Sequence, residues 1–226
     1  MARLPNVPTV WSNVFTAWVL SGGGFEGSSR IREFSLAILA GTFLYLGGTI
    51  LNDVHDVKFD RQFRPERPIP SGRVGVRVAV QAAFGFIIGG SVLMVFSANV
   101  FSLILPAFII AYTQIHKRHP VTGGILMGFC RYLLVRIVGW IAVGSNFPTD
   151  IHFFWAIVLF VYVCCISWVA MNETEAWRRK VVVGMLRALP LLDAGFLFYA
   201  KEGRLTAVPI VCAGLSWFLR RVASPT

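Results

Sequence analysis

Phe34-Ser35-Leu36-Ala37-Ile38-Leu39-Ala40-Gly41-Thr42-Phe43-Leu44-Tyr45-Leu46-Gly47-Gly48-Thr49-Ile50-Leu51 runs without one charged side chain, and then turns at once into Asn52-Asp53-Val54-His55-Asp56-Val57-Lys58-Phe59-Asp60. An uncharged apolar stretch of this length matches the roughly 20 residues that a helix needs to cross a hydrocarbon layer about 30 Å thick. Comparable apolar stretches recur at 7–21, 78–96, 98–114, 121–144, 151–171, 181–200 and 204–219. Working outward from residues 34–51, the pattern predicts an all-α integral membrane protein, one polytopic domain over residues 1–226. About eight transmembrane helices are expected, since backbone inside a bilayer must satisfy its own hydrogen bonds. Two of the stretches depart from the rule: 98–114 is short, and 7–21 carries Pro8, Ser12 and Asn13, so both are expected tilted or partly sheltered by protein.

Composition agrees, with 56% hydrophobic and 14% charged residues among 226, more apolar surface than one soluble core of this size hides. The net charge of +10 comes from basic residues placed in the short connections, not from a basic face of the kind that binds nucleic acid. Arg3, the cluster Lys58, Arg61, Arg64, Arg67, Arg73 and Arg77, the pair Lys117 and Arg118, the run Arg178, Arg179 and Lys180, and Arg220 with Arg221 all fall on one side of an eight-span plan. By the positive-inside rule that side, with both termini, is expected in the cytoplasm of a bacterial-type cytoplasmic membrane. Trp11, Trp177 and Trp217 near one interface, and Trp140 and Trp155 near the other, suit aromatic belts or packing equally. Cys130, Cys164, Cys165 and Cys212 lie inside apolar stretches without metal-ligand spacing and are expected as reduced packing residues.

Chemistry concentrates where the second apolar stretch ends. Spacings of three and four residues put Asp53, Asp56 and Asp60 on one helix face, with Asn52 beside Asp56. Adjacent carboxylates repel unless a cation neutralises them, and hard oxygen ligands suit Mg2+, which completes its shell with water and phosphate oxygens. Charge at the very end of a membrane span is expensive and marks function, which favours this reading over a solvated acidic helix end. The following loop, Arg61 and then Arg64-Pro65-Glu66-Arg67-Pro68-Ile69-Pro70-Ser71-Gly72-Arg73, adds guanidinium forks matched to phosphate oxygens on a proline-stiffened chain. Acid, metal and arginine together describe a diphosphate clamp.

The run Asn52 to Asp60, followed by Arg67-Pro68-Ile69-Pro70-Ser71-Gly72, resembles the first signature of the UbiA-type intramembrane prenyltransferases. The resemblance implies a helical bundle around a central lipophilic cavity, and an isoprenyl diphosphate held through Mg2+ at the cytoplasmic mouth. It further implies transfer of the isoprenyl group to a lipophilic acceptor. By motif position it makes Asn52, Asp53 and Asp56 the metal-side residues, Asp60 the outer acid, and Arg64 and Arg67 diphosphate contacts, with Asp53, Asp56 and Arg67 carrying the chemistry. Where the family has a second aspartate pair, this chain has Asn172, Glu173 and Glu175 followed by Arg178, Arg179 and Lys180. Glutamates two residues apart do not share a helix face, so this region is non-helical, or one glutamate holds a second metal, or the three cations replace that metal. The acidic and then basic ends of the second and sixth stretches, four helices apart, suggest two pseudo-repeated four-helix halves.

Four charges lie deeper. Arg131 and Asp193 fall at similar depth, roughly 15–18 Å below the basic side at helical rise, and are expected to point into the cavity or pair with each other. Arg187 lies nearer the surface as a substrate contact or a snorkelling side chain, while Arg136 has no evident partner. His55 projects from another face of the acidic segment and is expected to meet solvent. Two other functions share these features: a membrane terpene cyclase, which ionises the same diphosphate without an external acceptor, and a non-catalytic isoprenoid-lipid binding or transport-accessory protein.

Overall fold

A computed structural model describes residues 4–116, 119–144, 148–171 and 176–223. These residues form nine α-helices, three short 3-10 turns and no strand. The helices are α1 (Val7–Leu20), α2 (Ser28–His55), α3 (Val57–Phe63), α4 (Val76–Ser97), α5 (Ile104–Ile115), α6 (Pro120–Val143), α7 (Asp150–Ala170), α8 (Ala176–Tyr199) and α9 (Ala207–Ala223). Each of the eight apolar stretches falls on one of the longer helices, with α3 the short addition. Among the described residues six segments are long and apolar enough to cross a membrane, Ser28–His55, Val76–Ser97, Pro120–Val143, Asp150–Ala170, Trp177–Tyr199 and Gly203–Val222, whereas Val100–Ile115 is a shorter apolar segment. The length of α1, 14 residues, gives only about 21 Å of rise.

The short α1 is buried on every side. It packs against α2, α6, α8 and α9, and Thr9, Ser12, Asn13 and Thr16 have no solvent exposure, nor has Trp18. Its polar residues therefore tell of burial in protein, not of a surface face. Outer helices show the reverse pattern: Val78, Phe84, Ile88, Val92 and Phe96 on α4 are exposed large hydrophobics, the mark of a face that meets lipid. Trp155 belongs to the buried core and not to an interfacial belt, while Trp140, Trp177 and Trp217 are exposed.

Where two apolar helices pack within lipid, small residues allow close approach. On α2 and α4 this is literal. A Cβ on Gly47 would lie 2.7 Å from the Ile87 side chain and 2.9 Å from the Ala83 carbonyl oxygen, and one on Gly90 would lie 2.8 Å from Leu44 and 3.0 Å from the Ala40 carbonyl oxygen. This contact fixes the second half of α2, and through it the acidic segment at its end.

Candidate active site

The α2 helix ends at His55, yet its hydrogen-bond course barely breaks. The Asp56 N–H donates to the Asn52 carbonyl at 3.0 Å, Asp60 to Asp56 at 2.8 Å and Arg64 to Asp60 at 2.8 Å, so α3 continues α2 through a bend at Asp56. Along this near-continuous helix the acids divide into two groups instead of forming one stripe. Asp53 and Asp60, two turns apart with only about 20° of drift, both face Arg67: its Nη1 lies 2.7 Å from Asp60 Oδ2 and 3.8 Å from Asp53 Oδ1. Asn52 and Asp56 form the other group, the Asn52 amide donating to Asp56 Oδ2 at 3.3 Å. The single three-carboxylate face expected from spacing is corrected accordingly. Asn52 stands one residue, about 100° of helix, before Asp53, and Asp56 sits at the break between α2 and α3, so this pair turns toward α5.

Arg67 owes its place to the loop that carries it. Ser71 N–H donates to the Arg67 carbonyl at 2.9 Å, Gly72 N–H to Ile69 at 3.1 Å and Val74 N–H to Pro68 at 3.0 Å, while Arg73 reaches the Glu66 carbonyl. Gly72 adopts a positive φ of 78° that a residue with a Cβ rarely takes. The loop therefore folds back over α3, and Asp60, expected as the outer acid, is instead buried beneath Arg67 with 1% exposure. Arg64, half-buried at the end of α3, follows on the same loop.

His116, which spacing did not single out, completes the second group. Its Nδ1 lies 3.1 Å from the carbonyl oxygens of both Tyr112 and Thr113, which assigns the Nδ1 proton to the backbone and leaves Nε2 facing Asp56 Oδ1 at 3.4 Å. The available signal was the Tyr112–His116 spacing at the end of the fourth apolar stretch. His55 is exposed with its Nδ1 against the Leu51 carbonyl, as expected of a solvent-facing side chain.

Two spaces open on either side of the α2 end. One, with an empty volume of about 780 Å³ including its mouth, descends between α1, α2, α5 and α6; Asn52 and Tyr112 stand toward one end, and Tyr45, Leu44, Gly41 and Arg131 toward the other. The second, about 770 Å³, lies between the 67–74 loop and α4 and takes Asp53, Asp60 and Arg67 into its wall. Deep in the bundle Asp193 accepts from Ser12 at 2.5 Å, Asn13 at 2.8 Å and Trp155 Nε1 at 3.2 Å. Arg131 donates to Asn13 Oδ1 at 3.0 Å and Thr9 Oγ1 at 3.2 Å. Arg131 and Asp193 thus meet through the Asn13 amide and make no direct pair. Arg136, whose partner the sequence left open, lies 3.1 Å from His152 Nδ1.

The remaining basic candidates sit on α8. Arg178 lies over the Trp177 ring, Arg179 and Lys180 are exposed, and Arg187 is half-buried with an Nε that has no hydrogen-bond partner among the described residues. Glu173 and Glu175 lie outside the described residues. Among the described residues no three His, Cys, Asp or Glu side chains converge as a metal-binding group. The donor chemistry nonetheless fits a hard cation, because Asn52 Oδ1 and Asp60 Oδ1 are buried oxygens without a hydrogen-bond partner among the described residues.

A family model described as the UbiA prenyltransferase family matches residues 7–219. The digeranylgeranylglyceryl phosphate synthase of Metallosphaera sedula is 30% identical over 130 residues, 56% of this chain and 45% of that protein. The protein of the same name from Methanococcus vannielii is 34% identical over 112 residues, 49% of this chain and 40% of the relative. The matched stretch thus spans less than half the length of either relative. A solved structure reported for digeranylgeranylglyceryl phosphate synthase in membranes shares the fold, with a TM-score of 0.57 at 20% identity, covering 98% of this chain and 88% of that one. The match takes in all but the ends of the chain, from α1 to α9, and with it the acidic bend, the arginine loop and the buried α1: this chain belongs to the UbiA prenyltransferase family.

Proposed function

We propose that the chain transfers an isoprenyl group from an isoprenyl diphosphate to a lipophilic acceptor within the membrane, in a Mg2+-dependent reaction at the Asn52–Arg73 end of the bundle. One observation carries the reading: Asn52, whose Oδ1 has no hydrogen-bond partner among the described residues and whose amide donates to Asp56, lines the mostly apolar space that opens between α1, α2, α5 and α6. Asn52, Asp53 and Asp56 would hold the metal, which supplies positive charge to the diphosphate oxygens. Glu173 or Glu175 would hold a second metal. Asp60 stays beneath Arg67 and orients its guanidinium, so that Arg67 and Arg64 present forked donors to the diphosphate. Arg178, Arg179, Lys180 and Arg187, all carried by α8, would offer further cations to the leaving group. The allylic carbon–oxygen bond breaks with its electron pair leaving on the diphosphate. The acceptor then bonds to the allylic carbon and releases a proton to water. The apolar walls exclude bulk water from that step.

The shorter α1 and α5 segments would complete an eight-span arrangement of two four-helix halves, with the basic connections in the cytoplasm. The names of the relatives support a long isoprenyl donor. The test is purified full-length protein with Mg2+ and a panel of isoprenyl diphosphates. Thermal stabilisation by one donor and diphosphate release with prenylated product are expected. Absence of both binding and consumption across the panel overturns the reading, and a cyclic hydrocarbon formed without acceptor replaces it by the cyclase.

A further inference from the structure

His116 is fixed from three sides. It closes α5, where its backbone N–H donates to the Tyr112 carbonyl at 3.0 Å, and its ring is stacked on that of Tyr112 with centroids 5.1 Å apart. The start of α6 presses on it from behind: a Cβ on Gly123 would fall 2.6 Å from the His116 Cα. With the Nδ1 proton directed at the Tyr112 and Thr113 carbonyls, Nε2 keeps a lone pair. That lone pair meets Asp56 Oδ1 at 3.4 Å, two acceptors that repel unless a proton or a cation stands between them. The other Asp56 oxygen takes the Asn52 amide, and Asn52 Oδ1 is itself a buried acceptor with no hydrogen-bond partner among the described residues. Asn52 is 7% exposed and lines the space between α1, α2, α5 and α6 together with Tyr112. A ring nitrogen whose opposite nitrogen is anchored on backbone oxygen is the arrangement of metal-binding histidines, because the anchor fixes the tautomer and raises the basicity of the free nitrogen.

We propose that His116 Nε2 is a ligand of the metal held by Asp56 and Asn52, and that this nitrogen turns the site from Mg2+ toward Mn2+. The inference rests on the transfer reading above, which places a divalent ion at these residues, and names the ion they select. An all-oxygen shell suits Mg2+, whereas imidazole suits the transition ions. Mn2+ shares the carboxylate and water preferences of Mg2+ and binds nitrogen more readily, so a mixed shell of Asp56, Asn52, His116 and diphosphate oxygens favours it. His55, though next to Asp56 in sequence, has its Nδ1 on the Leu51 carbonyl and is exposed, so the nitrogen donor comes from α5.

The test is pulsed EPR of Mn2+ bound to the purified full-length protein, with and without inorganic diphosphate, beside binding titrations with Mn2+ and Mg2+. Expected is a coupling of the bound Mn2+ to an imidazole nitrogen that changes on 15N-histidine labelling, persists in His55→Ala and disappears in His116→Ala. Mn2+ affinity should fall by about tenfold or more in His116→Ala, while Mg2+ affinity changes by less than about twofold. Bound Mn2+ without a histidine coupling overturns the inference, as does a coupling that survives His116→Ala, or no Mn2+ binding at all. If His116→Ala fails to fold, His116→Gln, which offers no imidazole, carries the same comparison. If neither folds, the wild-type spectrum decides together with those of His55→Ala and His119→Ala, because His152 is buried with both ring nitrogens engaged. A His116 coupling in a protein that consumes no isoprenyl diphosphate sustains the ligand and sinks the transfer reading, whereas metal-dependent transfer without the coupling does the opposite.

Discussion

Two regions of this bundle set arginine beside aspartate, and they are built on opposite plans. At the α2 end Arg67 meets Asp60 directly, yet Asn52 Oδ1 and Asp60 Oδ1 are left without hydrogen-bond partners among the described residues. In the middle of the bundle Arg131 and Asp193 never touch, yet Asp193 has three donors and Asn13 serves both charges. A fully satisfied buried network rigidifies its surroundings, while buried oxygens left over are costly unless something else comes to them. The deep network therefore reads as the frame, and the α2 end as the place that expects a ligand.

The comparison breaks most visibly at Asp193. Replacing it by Ala strands three donors and the Arg131 charge, and the expected loss is about 3–5 kcal/mol of stability, seen as a lower unfolding temperature in detergent with or without substrate. Asp193→Asn, which keeps one acceptor, should lose less. At the α2 end the balance is reversed: Asp56→Ala should lower transferase activity by about 10²–10³-fold, the scale of removing a group that stabilises transition-state charge, while the unfolding temperature holds. A large stability loss there would make the two regions alike. Arg67→Gln falls between them, because it uncovers Asp60 but starts from an arginine with 29% side-chain exposure. Screening reduces its cost to about 1 kcal/mol, and a double variant with Asp60→Asn should recover part of it.

The same contrast explains what could be read from the chain. Hydropathy located eight helices because membrane burial writes itself into long uncharged runs. Pro8, Ser12 and Asn13 already marked 7–21 as tilted or partly sheltered by protein, but not what shelters it, since Asp193 and Arg131, which meet Thr9, Ser12 and Asn13, come from distant helices. Helical spacing found Asp53, Asp56 and Asp60, but it could not foresee the bend at Asp56 or the loop that folds Arg67 over Asp60. Equal depth placed Arg131 and Asp193 in one neighbourhood and left open whether they face the cavity or pair; Arg131 lines the cavity, and the two meet only through Asn13, which comes from a helix more than a hundred residues away. His116 and the Arg136–His152 contact were illegible for the same reason: each depends on which helices become neighbours.

Two histidines at the α2 end give the smallest effects and the finest discrimination. His55 follows the acids in sequence but turns outward, exposed, with its ring nitrogen on the Leu51 carbonyl. His116 is distant in sequence but stands 3.4 Å from Asp56, oriented by two backbone carbonyls of α5. If the site is defined by which groups converge on the Asn52–Asp56 face, His116→Ala should lower kcat/KM by roughly tenfold, the scale of losing one polar contact worth about 1–1.5 kcal/mol. His55→Ala should change it by less than about twofold, as exposed substitutions away from such contacts do. Equal losses from the two variants would mean that sequence proximity to the acids, and not the α5 contact, marks the working face.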